Sequence, residues 1–224
     1  MDTLEKKYFL HFVLRRLHSL VGLVALGLFL CEHFFTNSFA IEGAEAFNGK
    51  VAFLTSLPYL VLIEIAVLGV PFAFHTLYGL VIIFDGSVNL NRNNYARNWA
   101  YVAQRVTAVV IMIFLLFHVG SLRFYHKAHA EEIGFFQFLS NEYFSNPAIL
   151  AFYVVGIAAT FFHLANGICT FCMTWGLAIG PQSQRLVAGL ASLAGLAFLT
   201  AGLGSLYGFI RVTDLVHQAM ATLY

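Results

Sequence analysis

Four histidines recur at similar intervals in the most apolar parts of the sequence. They are His33, His75, His118 and His163, one in each of the first four long apolar segments. An ionisable side chain is costly in hydrocarbon and usually has a function there. Imidazole is also the commonest protein ligand for metals. The pattern therefore predicts metal binding or proton transfer inside the apolar segments.

The depth of each histidine in its segment predicts how they pair. At about 1.5 Å per helical residue, His33 and His118 lie roughly 20 to 25 Å beyond the arginines that precede their segments. His75 and His163 lie roughly 15 to 18 Å before the polar ends of theirs. Two axial ligands of one iron must lie at equal depth. We therefore expect two b-type haems held from opposite corners of a four-helix arrangement, one by His33 with His118 and one by His75 with His163.

Three further polar residues lie near the expected depth of the haem carboxylates. His18 is one turn inside its apolar segment and follows Arg15, and Arg105 lies near the start of the third segment. Buried carboxylates need hydrogen-bond donors and cations. We expect His18, Arg15 and Arg105 to contact the propionates of the haem between His75 and His163.

Glu64 is the one acid well inside a predicted span. It precedes His75 by three helical turns, which would place both side chains on one face. A buried carboxyl group there could exchange protons with a quinone. The alternative is a structural acid held by hydrogen bonds.

The elements that carry these residues follow from the composition. The chain has 224 residues, of which 60% are hydrophobic and 10% charged, with a net charge of +1. A helix needs about 20 apolar residues to cross a bilayer. The sequence predicts an all-α integral membrane bundle of five transmembrane helices, forming one domain over residues 1–224, with no sign of a nucleic-acid surface. The predicted spans are near 17–35, 58–84, 101–122, 147–176 and 186–207, separated by loops.

The cations predict how the chain is oriented in a bacterial cytoplasmic membrane. Because cytoplasmic loops are enriched in lysine and arginine, the side with more of them is expected to be cytoplasmic. The amino terminus is then cytoplasmic and, after five spans, the carboxyl terminus is outside. Eight of the 12 lysines and arginines fall on the amino-terminal side: Lys6, Lys7, Arg15, Arg16, Arg92, Arg97, Arg105 and Arg185.

Six short motifs together resemble the di-haem cytochrome b558 subunits of succinate dehydrogenases. The resemblance extends over all five spans and is more distant to the membrane subunit of di-haem fumarate reductases. The motifs are RRLHSLVG from Arg15, the segment around His33, PFAFHTLYG from Pro71, RNWAYVAQRVT from Arg97, FHLANG from Phe162 and TWGLAIGPQSQR from Thr174.

This resemblance implies haem ligation by the same four histidines in the same pairs. It also implies two partners, a flavoprotein that oxidises succinate and an iron-sulfur protein, with menaquinone or another quinone as the electron acceptor. The sequence has neither a GxGxxG dinucleotide loop nor a cysteine set for an iron-sulfur cluster. Dicarboxylate chemistry is therefore expected on the partners.

Three functions remain open from the sequence. The first is electron transfer from a cytoplasmic iron-sulfur subunit through two haems to menaquinone near the outer face, in a succinate:menaquinone oxidoreductase. The second is the reverse reaction in a quinol:fumarate reductase. The third belongs to another class, a transporter with a histidine relay, which would favour broken helices or acidic partners for the histidines.

Overall fold

The computed structural model describes residues 3–221, with side chains from Leu4 to Arg211. All regular elements in this part of the chain are helical. The predicted position of the carboxyl terminus falls on residues outside the described range.

Five of the helical segments are long and apolar enough to cross a membrane. Their number confirms the prediction of an all-α integral membrane protein with five transmembrane helices. They are Leu4–Ile41, Leu60–Phe84, Ala96–Tyr125, Pro147–Thr174 and Pro181–Arg211, called the first to fifth spans below.

Most of the helices extend beyond the ends predicted from charge. The first helix, α1, covers Thr3–Val21 and continues through α2 (Gly27–Ser38), although residues 6–16 contain four cations. Long basic side chains can lie along a helix while their charged ends reach polar surroundings. Charge therefore indicates depth in the membrane but does not end a helix. The last helix begins at Pro181, at a position where a missing N–H group is not needed.

Short π-helical turns interrupt the α-helical hydrogen bonding at four places. A π turn inserts an extra residue and is frequent at functional sites. Three of these turns lie inside spans, and the fourth lies in the connection between the third and fourth spans. They are Gly22–Leu26, Glu64–Gly69, Gly120–Tyr125 and Leu139–Tyr143.

The connections after the first and third spans, expected to be loops, contain further helices. These are α3 (Ala44–Thr55), α4 (Lys127–Ile133) and α5 (Phe135–Phe138). The Asn48 side chain joins two of them, accepting a hydrogen bond from the Phe136 N–H group at 3.0 Å and donating one to the Gln137 side chain at 3.1 Å. Apolar residues in both connections provide the buried surface that stabilises these helices.

The chain divides into two compact units. The first consists of residues 3–30, 59–108 and 162–195, and the second of residues 31–58, 109–161 and 196–221. The second unit contains a large buried aromatic cluster that includes Phe47, Phe136, Phe138, Phe144 and Phe209. The single domain over residues 1–224 stays a prediction.

Asn48→Ala tests whether the connections fold as the structure describes. Without the amide, the Phe136 N–H group loses its acceptor, which costs about 1 to 3 kcal/mol if the group stays buried. We expect faster hydrogen exchange in α3 and α5 with little change in the spans, measured by mass spectrometry on the purified protein in detergent. Asn91→Ala, at an exposed position, is the control. Equal protection in both variants would contradict this account.

Candidate functional site

His75 and His163 lie side by side in the first unit. Their ring centres are 6.3 Å apart and their planes are inclined by 80°. His75 is on the helix Val70–Phe84 and His163 is on the helix Pro147–Thr174. The Nδ1 atom of His75 lies 3.0 Å from the backbone oxygen of His18. Because a carbonyl group only accepts, Nδ1 carries the proton and Nε2 keeps its lone pair.

The His163 ring has the same protonation pattern through a different partner. Its Nδ1 atom lies 3.4 Å from the Thr107 hydroxyl. That hydroxyl donates to the Ala103 carbonyl at 2.7 Å, so it accepts from His163. The backbone oxygen of His163 also accepts a hydrogen bond from Gln104 at 3.1 Å. The ring therefore presents Nε2 as its electron-donating nitrogen.

His33 and His118 form a second pair, in the second unit. Their ring centres are 5.8 Å apart with the planes at 89°. The Nδ1 atom of His118 lies 2.9 Å from the Tyr153 hydroxyl, which donates its own proton to Tyr143 at 3.2 Å. Tyr153 therefore accepts from His118, which again leaves Nε2 with the lone pair.

Both pairs fit two axial ligands of one haem iron. Imidazoles on opposite sides of a metal, with bonds of about 2.0 Å, have ring centres about 6 Å apart. A hydrogen bond from Nδ1 is also what metal-bound histidines usually make. In the described part of the chain, no three His, Cys, Asp or Glu residues converge as ligands for a bare ion. A two-histidine set fits an iron whose remaining ligands come from a porphyrin.

A close backbone approach holds the His75 ring in place. A Cβ atom at Gly22 would lie 2.3 Å from Cε1 of His75, well inside van der Waals contact. Gly22 is the first residue of the π turn Gly22–Leu26. Only glycine allows the ring this close to the first span.

His18 lies against the ligand pair and does not point away from it. Its ring stacks on that of His75, with centres 4.0 Å apart and planes at 8°. Its backbone carbonyl holds the His75 proton, as described above. Contact between His18 and a propionate stays a prediction.

Arg105 and Arg15 differ in their surroundings. The Arg105 Nε atom is buried and has no hydrogen-bond partner in the described part of the structure, while its guanidinium carbon lies 3.4 Å from the centre of the Tyr101 ring. A buried donor without an acceptor is costly, so an anionic oxygen would fit there. Arg15 is half exposed and lies 3.8 Å from the Asp85 carboxylate. The structure thus provides an unused donor at Arg105 and a carboxylate neighbour for Arg15.

Glu64 is partly buried on the second span. The flanking Ile63 and Ile65 side chains are 46% and 55% exposed, so Glu64 faces the more protected side. It is also the first residue of the π turn Glu64–Gly69. In a regular α-helix, Glu64 would lie three turns before His75 on the same face. The residue inserted by the π turn changes this register. A role for Glu64 in proton transfer stays a prediction.

The sequence reasoning missed the residues that support the ligands. Two of them, Tyr153 and Thr107, accept histidine protons directly, and Tyr143 accepts from Tyr153. The fourth, Gly22, leaves space for the His75 ring. Thr107 follows Arg105 by only two residues, so its depth in the third span could have indicated a hydroxyl near the histidines. Tyr143 lies outside every predicted span, so depth could not have found it.

Comparisons with known proteins identify the family of the chain. Residues 92–203 match the family described as succinate dehydrogenase/fumarate reductase transmembrane subunit. The succinate dehydrogenase cytochrome b558 subunit of Bacillus subtilis (strain 168) is 39% identical over 199 residues, covering 89% of this chain and 97% of the relative. The chain belongs to the succinate dehydrogenase/fumarate reductase transmembrane subunit family. This confirms the resemblance found in the sequence motifs and makes the chain the membrane subunit of an enzyme complex. No solved structure matches this family member.

Gly22→Ala tests the close approach at His75. The added methyl group would displace the ring. If each histidine pair holds one b-type haem, we expect one of the two absorption signals of the purified complex to be lost or shifted. Gly189→Ala is the matched control, because a Cβ atom at Gly189 meets nothing within 4 Å. Two unchanged signals in Gly22→Ala would show that the ring tolerates the methyl group and that this contact does not position it.

Proposed function

We propose that the chain holds two b-type haems and passes electrons from an iron-sulfur partner to menaquinone. His75 and His163 would bind one iron, and His33 and His118 the other. The observation that carries this proposal is the presence of two histidine pairs at the separation expected for opposite ligands of one metal. A haem held by two histidines takes up and releases one electron with no open position for oxygen.

The residues of the chain contribute orientation and charge. The His18 carbonyl, Thr107 and Tyr153 each hold an Nδ1 proton, which directs Nε2 of the ring towards the iron position. Arg105 would donate its buried Nε–H to a propionate, and the ring of His18 would lie at the edge of the same site. Holding these groups rigidly limits their rearrangement when the charge at the iron changes.

The proposed partners are a flavoprotein that oxidises succinate and an iron-sulfur protein that docks on the cytoplasmic side. The relative from Bacillus subtilis is named as a subunit of succinate dehydrogenase, which supports this assembly. The distribution of lysines and arginines supports a bacterial cytoplasmic membrane with the amino terminus inside. Lipid surrounds the exposed apolar side chains of the spans.

The proposed direction is succinate oxidation with menaquinone reduction. The relative from Bacillus subtilis, a succinate dehydrogenase subunit by name, favours it. The family description also includes fumarate reductase, so the reverse reaction is the second candidate. A proton-relay transporter would favour acidic partners for the histidines. The Nδ1 contacts of His75, His163 and His118 are instead made to a carbonyl group and two hydroxyl groups.

Single replacements of the four histidines by alanine test the pairing. We expect His75→Ala and His163→Ala to remove the same signal from the reduced-minus-oxidised spectrum of the complex, and His33→Ala and His118→Ala to remove the other. His129→Ala, with a half-exposed side chain beside Glu142, should keep both. A colourless wild-type protein, or a shared signal for His75 and His118, would refute the proposal.

Glu64→Gln tests the proposed proton donor. If Glu64 delivers a proton to the quinone, the amide should lower quinone reduction at least about tenfold, because general acid catalysis typically contributes more than this. Both haem spectra should be unchanged. Glu45→Gln, at an exposed position, is the control. Equal turnover in the two variants would remove Glu64 from the mechanism.

A further inference from the structure

A closed ring of hydrogen bonds begins and ends at His118. The Nδ1 group donates to Tyr153 at 2.9 Å, and Tyr153 donates to Tyr143 at 3.2 Å. The Tyr143 hydroxyl lies 2.6 Å from that of Ser121, which donates to the backbone oxygen of His118 at 3.4 Å. The Ser121 proton is used on the carbonyl, so Tyr143 donates to Ser121. Every proton in the ring therefore points in the same direction.

The two tyrosines are deeply buried among aromatic side chains. Tyr143 is 3% exposed and Tyr153 is 5% exposed. The Tyr153 ring meets Phe114 and Phe144 edge to face, with centres 5.1 Å and 4.9 Å away. A buried hydroxyl needs a hydrogen-bond partner. Close packing prevents either tyrosine ring from turning towards a different partner. The acceptor that faces His118 is therefore fixed in place.

The ring connects the ligand to a part of the chain outside the spans. Tyr143 is the last residue of the π turn Leu139–Tyr143, in the connection between the third and fourth spans. Ser121 lies in the π turn Gly120–Tyr125, directly after the helix that carries His118. Within that turn, the Ser121 hydroxyl contacts the backbone carbonyl of His118. Both the imidazole and the backbone of His118 are thus held by the same ring.

We propose that Tyr153 is a positioning residue that lowers the reduction potential of the haem bound by His118, with Tyr143 and Ser121 holding Tyr153 in place. This inference rests on the proposed function. An acceptor for the Nδ1 proton makes the imidazole a stronger electron donor, and a stronger donor favours the oxidised iron. The alternative is that the hydroxyl groups of Tyr153 and Tyr143 only satisfy each other's hydrogen-bonding needs and have no effect on the iron.

Tyr153→Phe in the complete complex separates these two explanations. The variant keeps the aromatic packing and removes the acceptor. We expect the haem that depends on His118 to become easier to reduce, by up to about tenfold in the equilibrium constant, which is about 59 mV for one electron. The other haem should keep its potential. Redox titration followed by absorption measures both, and the low-spin electron paramagnetic resonance signal of the affected haem should shift as well.

Two further variants make the test specific. Tyr143→Phe removes the acceptor of Tyr153 and should shift the same haem in the same direction, but less. Because the hydrogen bonds act in series, the double variant should shift it no further than Tyr153→Phe alone. Tyr207→Phe, at a 59% exposed tyrosine of the fifth span, is the control and should change neither potential.

The outcomes distinguish this inference from the proposed function. A wild-type complex without haem would overturn the proposed function. Two bound haems with unchanged potentials in Tyr153→Phe, or a shift confined to the haem held by His75, would overturn the role of Tyr153 alone. If Tyr153→Phe fails to assemble, Tyr143→Phe decides, and an unchanged potential there overturns the inference.

Discussion

The proposed haem sites depend on one constraint, that the proton of a ligand imidazole is held on Nδ1 so that Nε2 is left free. A neutral imidazole has one nitrogen that donates and one that accepts. In hydrocarbon no water can hold the proton, so the protein must supply an acceptor at a fixed position. The acceptor for His75 is the His18 carbonyl. The acceptors for His163 and His118 are the hydroxyl groups of Thr107 and Tyr153, respectively. On the proposed function, the pairing of the rings matters because Nε2 is thereby left for a metal.

One of these acceptors, the His18 carbonyl, and one contact to the backbone of His118 lie beside departures from regular helix geometry. A backbone carbonyl inside an α-helix is normally occupied by the N–H group four residues later. The His18 carbonyl lies just before the π turn that begins at Gly22, and Gly22 also allows the His75 ring to approach. Ser121 lies in another π turn directly after His118. At both places a π turn lies beside a ligand contact, which is where such turns frequently occur.

The sequence predicted the parts of the molecule that depend on depth and hydropathy. Five spans and the proximity of His33 to His118 and of His75 to His163 followed from apolar length and the rise per residue. The contacts of Tyr143 and Gly22 could not be predicted, because they depend on which side chains meet between helices. The helical connections were missed since short segments outside the membrane carry no hydropathy signal. Glu64 shows a further limit, because a π turn changes the helical register and cannot be read from periodicity.

The three acceptors also differ in strength, and this difference matters if the chain transfers electrons as proposed. The contact at His163 is 3.4 Å long, whereas that at His118 is 2.9 Å. Hydrogen bonds weaken with distance, so Tyr153 forms a stronger hydrogen bond with the Nδ1–H group of His118 than Thr107 forms with that of His163. Identical ligand sets can therefore give unequal potentials when their acceptors differ. On the proposed function, two sites with the same ligands would be distinguished by the hydroxyl that accepts the Nδ1 proton of His118.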